Sequence, residues 1–240
     1  MERPIFQPVG TPVEQLDTPA LVLDLDVMDR NIKTFQGYFA GASAKPRPVV
    51  TSHLCPQIAR RQLDAGGTNG GIAVTTLGEA EVFANSGFSD ILLANEVVTV
   101  SKIRRLCALA NQTSIGIAVD NPDNARQLSS GAVEMRVELR VLIEIEAGLG
   151  RCGISPAGEA IKLAQLVREL PGLKLDGIMG SVPGPRSGDD PSEHDAKTRA
   201  NLQVVLDTKE SIEQSGVAIS VVSVGAVSYT HLTLPTNREV

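Results

Sequence analysis

The chain has 240 residues, of which 42% are hydrophobic and 21% charged, the ordinary balance of a globular protein. This length admits one large domain or two small ones, and a single barrel domain reaches this size. The formal net charge of −6 argues against nucleic acids and anionic membranes as partners, because both are bound through a surplus of lysine and arginine.

Cysteine usage and hydropathy predict a cytoplasmic location. The three cysteines, Cys55, Cys107 and Cys152, form no CxxC pair, which argues against a disulfide framework or a thiolate zinc site and favours a reducing compartment. The first residues lack the apolar segment of a secretory signal. No apolar run approaches the roughly 18 residues that a membrane-spanning helix needs.

Short runs of apolar and β-branched residues alternate with helical segments along the whole chain. Most runs are apolar on successive residues, as expected for strands that are covered on both faces. Eight strands are predicted in chain order, at Ala20–Asp26, Arg47–His53, Gly71–Thr76, Asp90–Glu96, Ser114–Asp120, Arg140–Ala147, Leu173–Ser181 and Ile219–Gly225.

Helical spacing of apolar residues predicts a helix after most of these strands. The predicted helices are Pro56–Ala65, Leu77–Asn85, Thr99–Ala110, Pro122–Leu128, Pro156–Leu170 and Ser192–Ser215. Eight βα repeats in order favour an α/β fold of the (β/α)8 barrel type over residues 1–226. An open, doubly wound sheet is the alternative architecture.

Polar residues stand at the carboxyl ends of the predicted strands. In parallel barrels these ends share one mouth, where active sites lie, so the set predicts a lined pocket. Taken singly, each residue is explained equally well as the polar start of a turn. The residues are Asp24, Asp26, Thr51–His53, Thr75, Thr76, Asn95, Glu96, Asp120, Asn121, Glu144, Glu146, Arg151 and Ser223–Gly225.

The last residues, 227–240, differ in composition from the preceding chain. The run VSYTHLTLPT resembles the conceptual translation of a transposase sequencing adapter, so this tail is interpreted as non-native and excluded from the barrel. The alternative is a native strand, because SYTHLTL alternates and is rich in β-forming residues.

Several ordered segments resemble the D-threonine aldolase and D-serine dehydratase group, relatives of the alanine racemase barrel. The resemblance covers roughly residues 16–226, and the segment VLIEIEAGLGRCGI is nearer to the aldolase branch. The segments are Leu16–Ile32, Gly78–Ala84, Asp90–Val98, Val119–Asn124 and Val141–Ile154.

The resemblance implies a pyridoxal phosphate (PLP)-dependent lyase that cleaves D-3-hydroxy amino acids to glycine and an aldehyde. It implies that Arg151 binds the phenolic oxygen of the cofactor, while Ser223 and Gly225 begin its phosphate loop. Asn95 and Glu146 join this cofactor-binding set, and His53 matches a family histidine at the mouth. It further implies a homodimer and a C-terminal β domain that carries the metal ligands, so no metal site is predicted in this chain.

Two departures from the family pattern put the activity in doubt. Thr51 stands where the family has the lysine that forms a Schiff base with PLP, and a hydroxyl group cannot form an imine. The seventh strand ends in Ser181-Val182, where the family has a tyrosine and a base. His53 is interpreted with equal weight as a pocket residue or as a satisfied histidine at a strand end.

Three hypotheses follow. The chain is a PLP-dependent lyase, of the D-threonine aldolase or D-serine dehydratase type, that Thr51 inactivates. It is a non-catalytic barrel that binds PLP or an amino acid. It is an inactive fragment that lacks the C-terminal β domain.

Overall fold

The fold was analysed in a computed structural model that describes residues 7–156, 158–183 and 190–225. Its six β-strands are β1 (Ile72–Val74), β2 (Asp90–Leu93), β3 (Ser114–Val119), β4 (Leu139–Glu146), β5 (Leu173–Ser181) and β6 (Val221–Gly225). They form one parallel sheet in the order β1-β2-β3-β4-β5-β6, so neighbours in the chain are neighbours in the sheet. This order is that of a parallel α/β barrel, and the predicted fold class is confirmed.

Within the described residues, seven α-helices connect or precede these strands. They are α1 (Leu25–Tyr38), α2 (Pro56–Asp64), α3 (Leu77–Asn85), α4 (Val100–Ala110), α5 (Pro122–Met135), α6 (Gly158–Glu169) and α7 (Pro191–Gln214). Proline stands in the first turn of α2, α5 and α7, where its missing N–H costs nothing. No helix in the described parts of the chain is both long and apolar enough to cross a membrane.

The predictions of the first two strands, Ala20–Asp26 and Arg47–His53, are wrong. Residues 20–24 form no strand, because the Asp24 carboxylate accepts the N–H of Val27 and starts α1 at Leu25. The predicted strand Arg47–His53 is reduced to one parallel bridge between Val49 and Ala73. Directly after this bridge Val50–Ser52 turn into a short 3-10 helix, which removes the following residues from the sheet.

Side chains alternate between the two faces of the sheet, as strand geometry requires. On one face the strands pack against the helices and bury Ile91, Ile117 and Ile143 completely. On the other face, the inside of the half-barrel, a smaller apolar layer is formed by Ala73, Leu92, Ala118, Leu142 and Met179. Polar side chains lie above and below this inner layer, at the two ends of the strands.

The predicted tail, 227–240, lies outside the described residues.

Candidate functional site

Acidic side chains converge where β2, β3 and β4 end. Glu144 follows Leu142 on the inner face of β4, and only 2% of its surface is exposed. Glu96 comes from the loop after β2, and Asp120 directly follows β3. One carboxylate oxygen of Glu96, one of Glu144 and the Sγ of Cys152 all lie within 4.8 Å of one another. The carboxyl mouth of the sheet therefore concentrates negative charge.

The turn after β4 brings Cys152 and Arg151 to these acids. The Glu146 carboxylate accepts the N–H groups of Gly148 at 2.6 Å and Gly150 at 3.0 Å, which fixes the start of the turn. The chain then returns beside β4, because Ile154 N–H donates to the carbonyl of Glu144 and Glu146 N–H donates to the carbonyl of Ile154. This double link presents the intervening residues at the mouth.

Gly153 is the residue on which this return depends. Its φ is +102°, and a Cβ at this position would lie 2.5 Å from the backbone nitrogen of Glu146. Its N–H donates to Oδ2 of Asp120 at 3.0 Å, which ties the turn to the end of β3. The short spacing of glycines in this segment is thus explained by the close approach of two backbone segments.

Hydrogen bonds and pKa shifts distinguish Glu144, which accepts hydrogen bonds, from Cys152 and Glu96, whose pKa values are raised. Oε1 of Glu144 accepts the hydroxyl of Ser181 at 3.2 Å and the thiol of Cys152 at 3.1 Å. Burial raises the pKa of Cys152 to about 11, so this side chain is a neutral thiol donor. Burial also raises the pKa of Glu96 to about 7, and the negative charges of Glu144 and then Asp120 act in the same direction.

Arg151, predicted to bind the cofactor, is exposed at the tip of the turn. Its Nε lies 3.5 Å from Sγ of Cys152, a long contact that leaves most of the guanidinium free to meet a ligand. Glu146, which the resemblance assigned to the cofactor-binding set, lies beneath the turn. Its carboxylate accepts the N–H groups of Gly148 and Gly150, so Glu144 is the acid of β4 that faces the mouth.

Thr51, which matches the family lysine position, is bound into a separate cluster at the end of β1. Its hydroxyl donates to Oε2 of Glu79 at 2.6 Å and lies 3.3 Å from the hydroxyl of Thr75. Asn95 joins this cluster, because its Nδ2 donates to the carbonyl of Thr75 at 3.1 Å. The structure therefore brings Thr51 and Asn95 together through Thr75.

His53 makes local contacts at the start of α2. Its Nδ1 accepts the N–H of Cys55 at 3.1 Å, which leaves the proton of a neutral ring on Nε2, 3.2 Å from Oε1 of Gln62. These bonds match the interpretation of a satisfied histidine at a strand end. The half-buried ring still lies on the carboxyl side of the bridge at Val49.

Ser223 and Gly225, the predicted start of a phosphate loop, lie at the end of β6. Ser223 pairs with Met179 and shares the inner face with Val221. Gly225 is exposed, and its carbonyl accepts the N–H of Val182. Both residues thus stand at the same edge of the sheet as the acidic group around Glu144.

The sequence named Glu96, Asp120 and Glu144 only as polar strand ends, and Cys152 only as an unpaired cysteine. Their proximity depends on the order of the sheet, which the spacing of strands alone does not fix. The available signal was that Asp120 directly follows an apolar strand and that Glu96 stands three residues after another.

A separate cavity of about 460 Å³ lies at the opposite edge of the sheet. It is bordered by the first residues of β3, by Arg140 of β4 and by Lys174 of β5. The amino ends of barrel strands serve stability rather than chemistry, so the carboxyl mouth is the better candidate site.

Comparison with known proteins identifies the family of the chain. Residues 23–237 match the family model "Alanine racemase, N-terminal domain", and the chain belongs to this family. It is 34% identical over 225 residues to a D-threonine aldolase of an Arthrobacter species, covering 92% of this chain and 58% of that protein. It is 30% identical over 217 residues to a 3-hydroxy-D-aspartate aldolase of Paracoccus denitrificans, covering 90% and 56%.

Among solved structures, the D-threonine aldolase of Filomicrobium marinum superposes with a TM-score of 0.83 at 32% identity. The match covers 87% of this chain and 56% of that one. The chain thus spans little more than half the length of the relatives that it matches. The predicted alanine racemase type of barrel is confirmed.

Proposed function

We propose that this chain is the barrel of a lyase-type protein for D-3-hydroxy amino acids and that it binds PLP without a covalent bond. The observation that carries the proposal is the glycine-bounded turn that presents Arg151 at the mouth of the sheet. A guanidinium beside an anionic oxygen is a strong, charge-assisted partner. The similarity to two aldolases over most of the chain supports the same reaction class.

Covalent attachment of PLP does not fit the residues present. The hydroxyl of Thr51 already donates to Glu79, and it cannot replace an amine in an imine. Lys45 lies before the strand position, and its Nζ donates to the carbonyl of Phe39 at 3.3 Å. The segments that form the mouth, 51–55, 75–76, 94–99, 120–121, 146–155, 181–183 and 223–225, contain no lysine.

Non-covalent binding of an anion fits better. Arg151 offers a largely free guanidinium, and Ser223 offers a hydroxyl near the end of β6, where Gly225 is exposed. PLP, when bound, supplies an electron sink, and the protein supplies its orientation. The acids around Glu144 lie beside this surface, where they would attract the ammonium group of an amino acid.

A non-catalytic binding barrel is the second candidate. It is favoured by the Thr51–Glu79 hydrogen bond, which occupies the attachment position with a stable contact, and by Ser181-Val182, which carry no titratable group. A D-serine dehydratase-like lyase differs in product, a keto acid and ammonia rather than glycine and an aldehyde. Product analysis therefore separates the two lyase reactions.

The test uses borohydride reduction of the purified chain mixed with PLP. We expect retention of PLP in equilibrium dialysis but no pyridoxyl-lysine in the mass spectrum of the reduced protein. Arg151→Ala should weaken the retention. A stoichiometric adduct at one lysine of the unaltered chain would show that attachment occurs elsewhere, and absence of any PLP retention would reject the proposed function.

Thr51→Lys with Thr51→Ser as the matched control completes the experiment. The lysine variant should give an aldimine absorbance and a reducible adduct, because it places an amine at the strand end. The serine variant keeps the hydroxyl and should behave like the unaltered chain. If the lysine variant binds PLP without an absorbance change, position 51 does not face the cofactor.

A further inference from the structure

Two carboxyl groups lie unusually close together at the mouth. Glu96 arrives from the loop after β2 and Glu144 from the inner face of β4, and oxygens of the two approach within 4.8 Å. Two ionised carboxylates at this separation repel each other, and burial strengthens the repulsion. Either a proton on one of them or a cation between them must relieve it.

The hydrogen bonds indicate which carboxyl group is ionised. Oε1 of Glu144 accepts two donors, the hydroxyl of Ser181 and the thiol of Cys152, and accepting is the only role that an ionised carboxylate can have. Oε1 of Glu96 is buried and has no hydrogen-bond partner among the described residues. A proton on Glu96, directed at Glu144, would satisfy this group.

The neighbouring groups fit a proton better than a cation. Cys152 gives its S–H to Glu144, and this hydrogen bond requires the sulfur to be in its protonated, neutral form. The guanidinium of Arg151 contacts the sulfur of Cys152, and it interacts with Glu144 and Glu96 through its charge. The half-buried carboxyl of Asp120 adds negative charge, which favours protonation of its neighbours.

We propose that Glu96 and Glu144 form an acid–base pair that binds one proton between them. Glu96 is the acid, and Glu144 is the base that positions it. Asp120 faces the pair from the end of β3, and Arg151 and Cys152 face it from the turn after β4. The single proton explains how the buried Glu144 and the half-buried Glu96 lie side by side.

The use of this proton by a ligand rests on the proposed function, whereas its presence does not. Lyase chemistry on a 3-hydroxy amino acid needs a group that takes a proton from the hydroxyl or returns one to it. Ser181-Val182, at the end of β5, carry no such group. The Glu96–Glu144 pair lies beside Ser181, at the end of the neighbouring strand, and can supply it.

The experiment is a carbon-13 NMR titration of the full chain labelled in its glutamate side chains. The Glu96 signal is assigned by its loss in Glu96→Gln, and we expect its midpoint at about 7. Glu144→Gln should move the midpoint towards the ordinary value, because the neighbouring charge is gone. Glu81→Gln, which removes an exposed pair with Arg105, should leave it unchanged.

A midpoint of Glu96 near the ordinary glutamate value of about 4.3 would overturn the proposal. So would stoichiometric zinc or manganese in the purified chain whose removal by EDTA shifts the Glu96 signal, because a cation would then replace the proton. If Glu144→Gln does not fold, the titration of the unaltered chain still decides. If the midpoint of Glu96 is about 7 but the chain does not retain PLP, the pair stands and the proposed function is rejected. If the midpoint lies near the ordinary value but the chain retains PLP, the pair is rejected and the proposed function stands.

Discussion

The two ends of the parallel sheet treat charge in opposite ways. At the amino end, Asp90 pairs with both Arg47 and Arg140, and Asp176 pairs with Arg140 and Lys174, so positive and negative groups alternate. At the carboxyl end, acids gather around Glu144. At the amino end the ion pairs neutralise the charges inside the half-barrel. At the carboxyl end the negative charge of the clustered acids is not neutralised in this way and can act on a ligand.

This contrast separates a part of the molecule that stabilises the fold from a part that can do chemistry. A buried ion pair stabilises only while both partners are present, because a lone buried charge costs several kcal/mol. Crowded like charges cost stability and shift pKa values, which is the pattern of functional sites. The predictions that follow alter one end at a time.

The largest effect is expected from Asp90→Ala at the amino end. The variant removes one ion-pair partner of Arg47, whose side chain is only 4% exposed, and one of Arg140. Breaking a buried ion pair by removing one partner should lower the free energy of unfolding by about 3–5 kcal/mol. Urea denaturation measures this change.

Asp123→Ala is the matched control for that variant. It removes an acid whose side chain is 85% exposed from its pair with Arg126, and such surface pairs contribute about 0–1 kcal/mol. Equal losses in the two variants would mean that the amino-end network does not stabilise the fold.

Gly153→Ala tests the turn at the carboxyl end. The new Cβ would meet the backbone of Ile145 and Glu146 at 2.7 Å and 2.5 Å, at a φ of +102°. Strain and overpacking together should cost roughly 2–4 kcal/mol in the free energy of unfolding and displace Arg151. Gly150→Ala, with open space around it and a φ of +65°, should cost only about 1 kcal/mol. Similar losses would mean that the close approach at Gly153 is not rigid.

Glu79→Gln tests a carboxylate at the carboxyl end that has its donors. Burial would raise the pKa of Glu79, but hydrogen bonds from Thr51 and the backbone of Thr75 outweigh it and lower the pKa. A carboxylate with a lowered pKa stabilises the fold at any pH above its ordinary pKa. This contribution is lost as the pH falls through the folded-state pKa. We expect a loss of about 1–2 kcal/mol in the free energy of unfolding at neutral pH.

The measurement for Glu79→Gln is urea denaturation at neutral and at strongly acidic pH. The difference from the unaltered chain should shrink in acid, where the Glu79 carboxylate is protonated in both states. A difference that stays constant would trace the loss to packing rather than to charge.

An effect of the opposite sign is expected from Glu96→Gln. Because the pKa of Glu96 is raised to about 7, the folded chain holds a proton between pH 4.5 and pH 7 that the unfolded chain does not hold. The contribution of Glu96 is therefore fully present below 4.5 and is lost as the pH rises through about 7. The amide variant should unfold at higher urea than the unaltered chain above this pH, and the two should approach each other in acid. A variant that is less stable at alkaline pH would contradict the sign.

The sequence predicted six strands that exist, because strands covered on both faces are apolar on successive residues and are bounded by turns. Its two wrong strands share a local cause that such patterns do not record. In one, the side chain of Asp24 caps a helix, and in the other the chain turns at Val50–Ser52 after a single bridge. The sequence also missed α1, because the predicted strand Ala20–Asp26 ran into its first turn.

The sequence by itself determined the family, the order of the strands along the chain and the substitution of Thr51, because motifs and residue identities are local. Only the tertiary structure decided that Glu96 lies beside Glu144, that Glu146 closes the turn and that Thr51 binds Glu79. Each of these contacts joins residues whose relation depends on how neighbouring strands align and how a turn folds back. Acidic side chains form a site only where the backbone brings them close together, and the distance between them is a property of the folded chain.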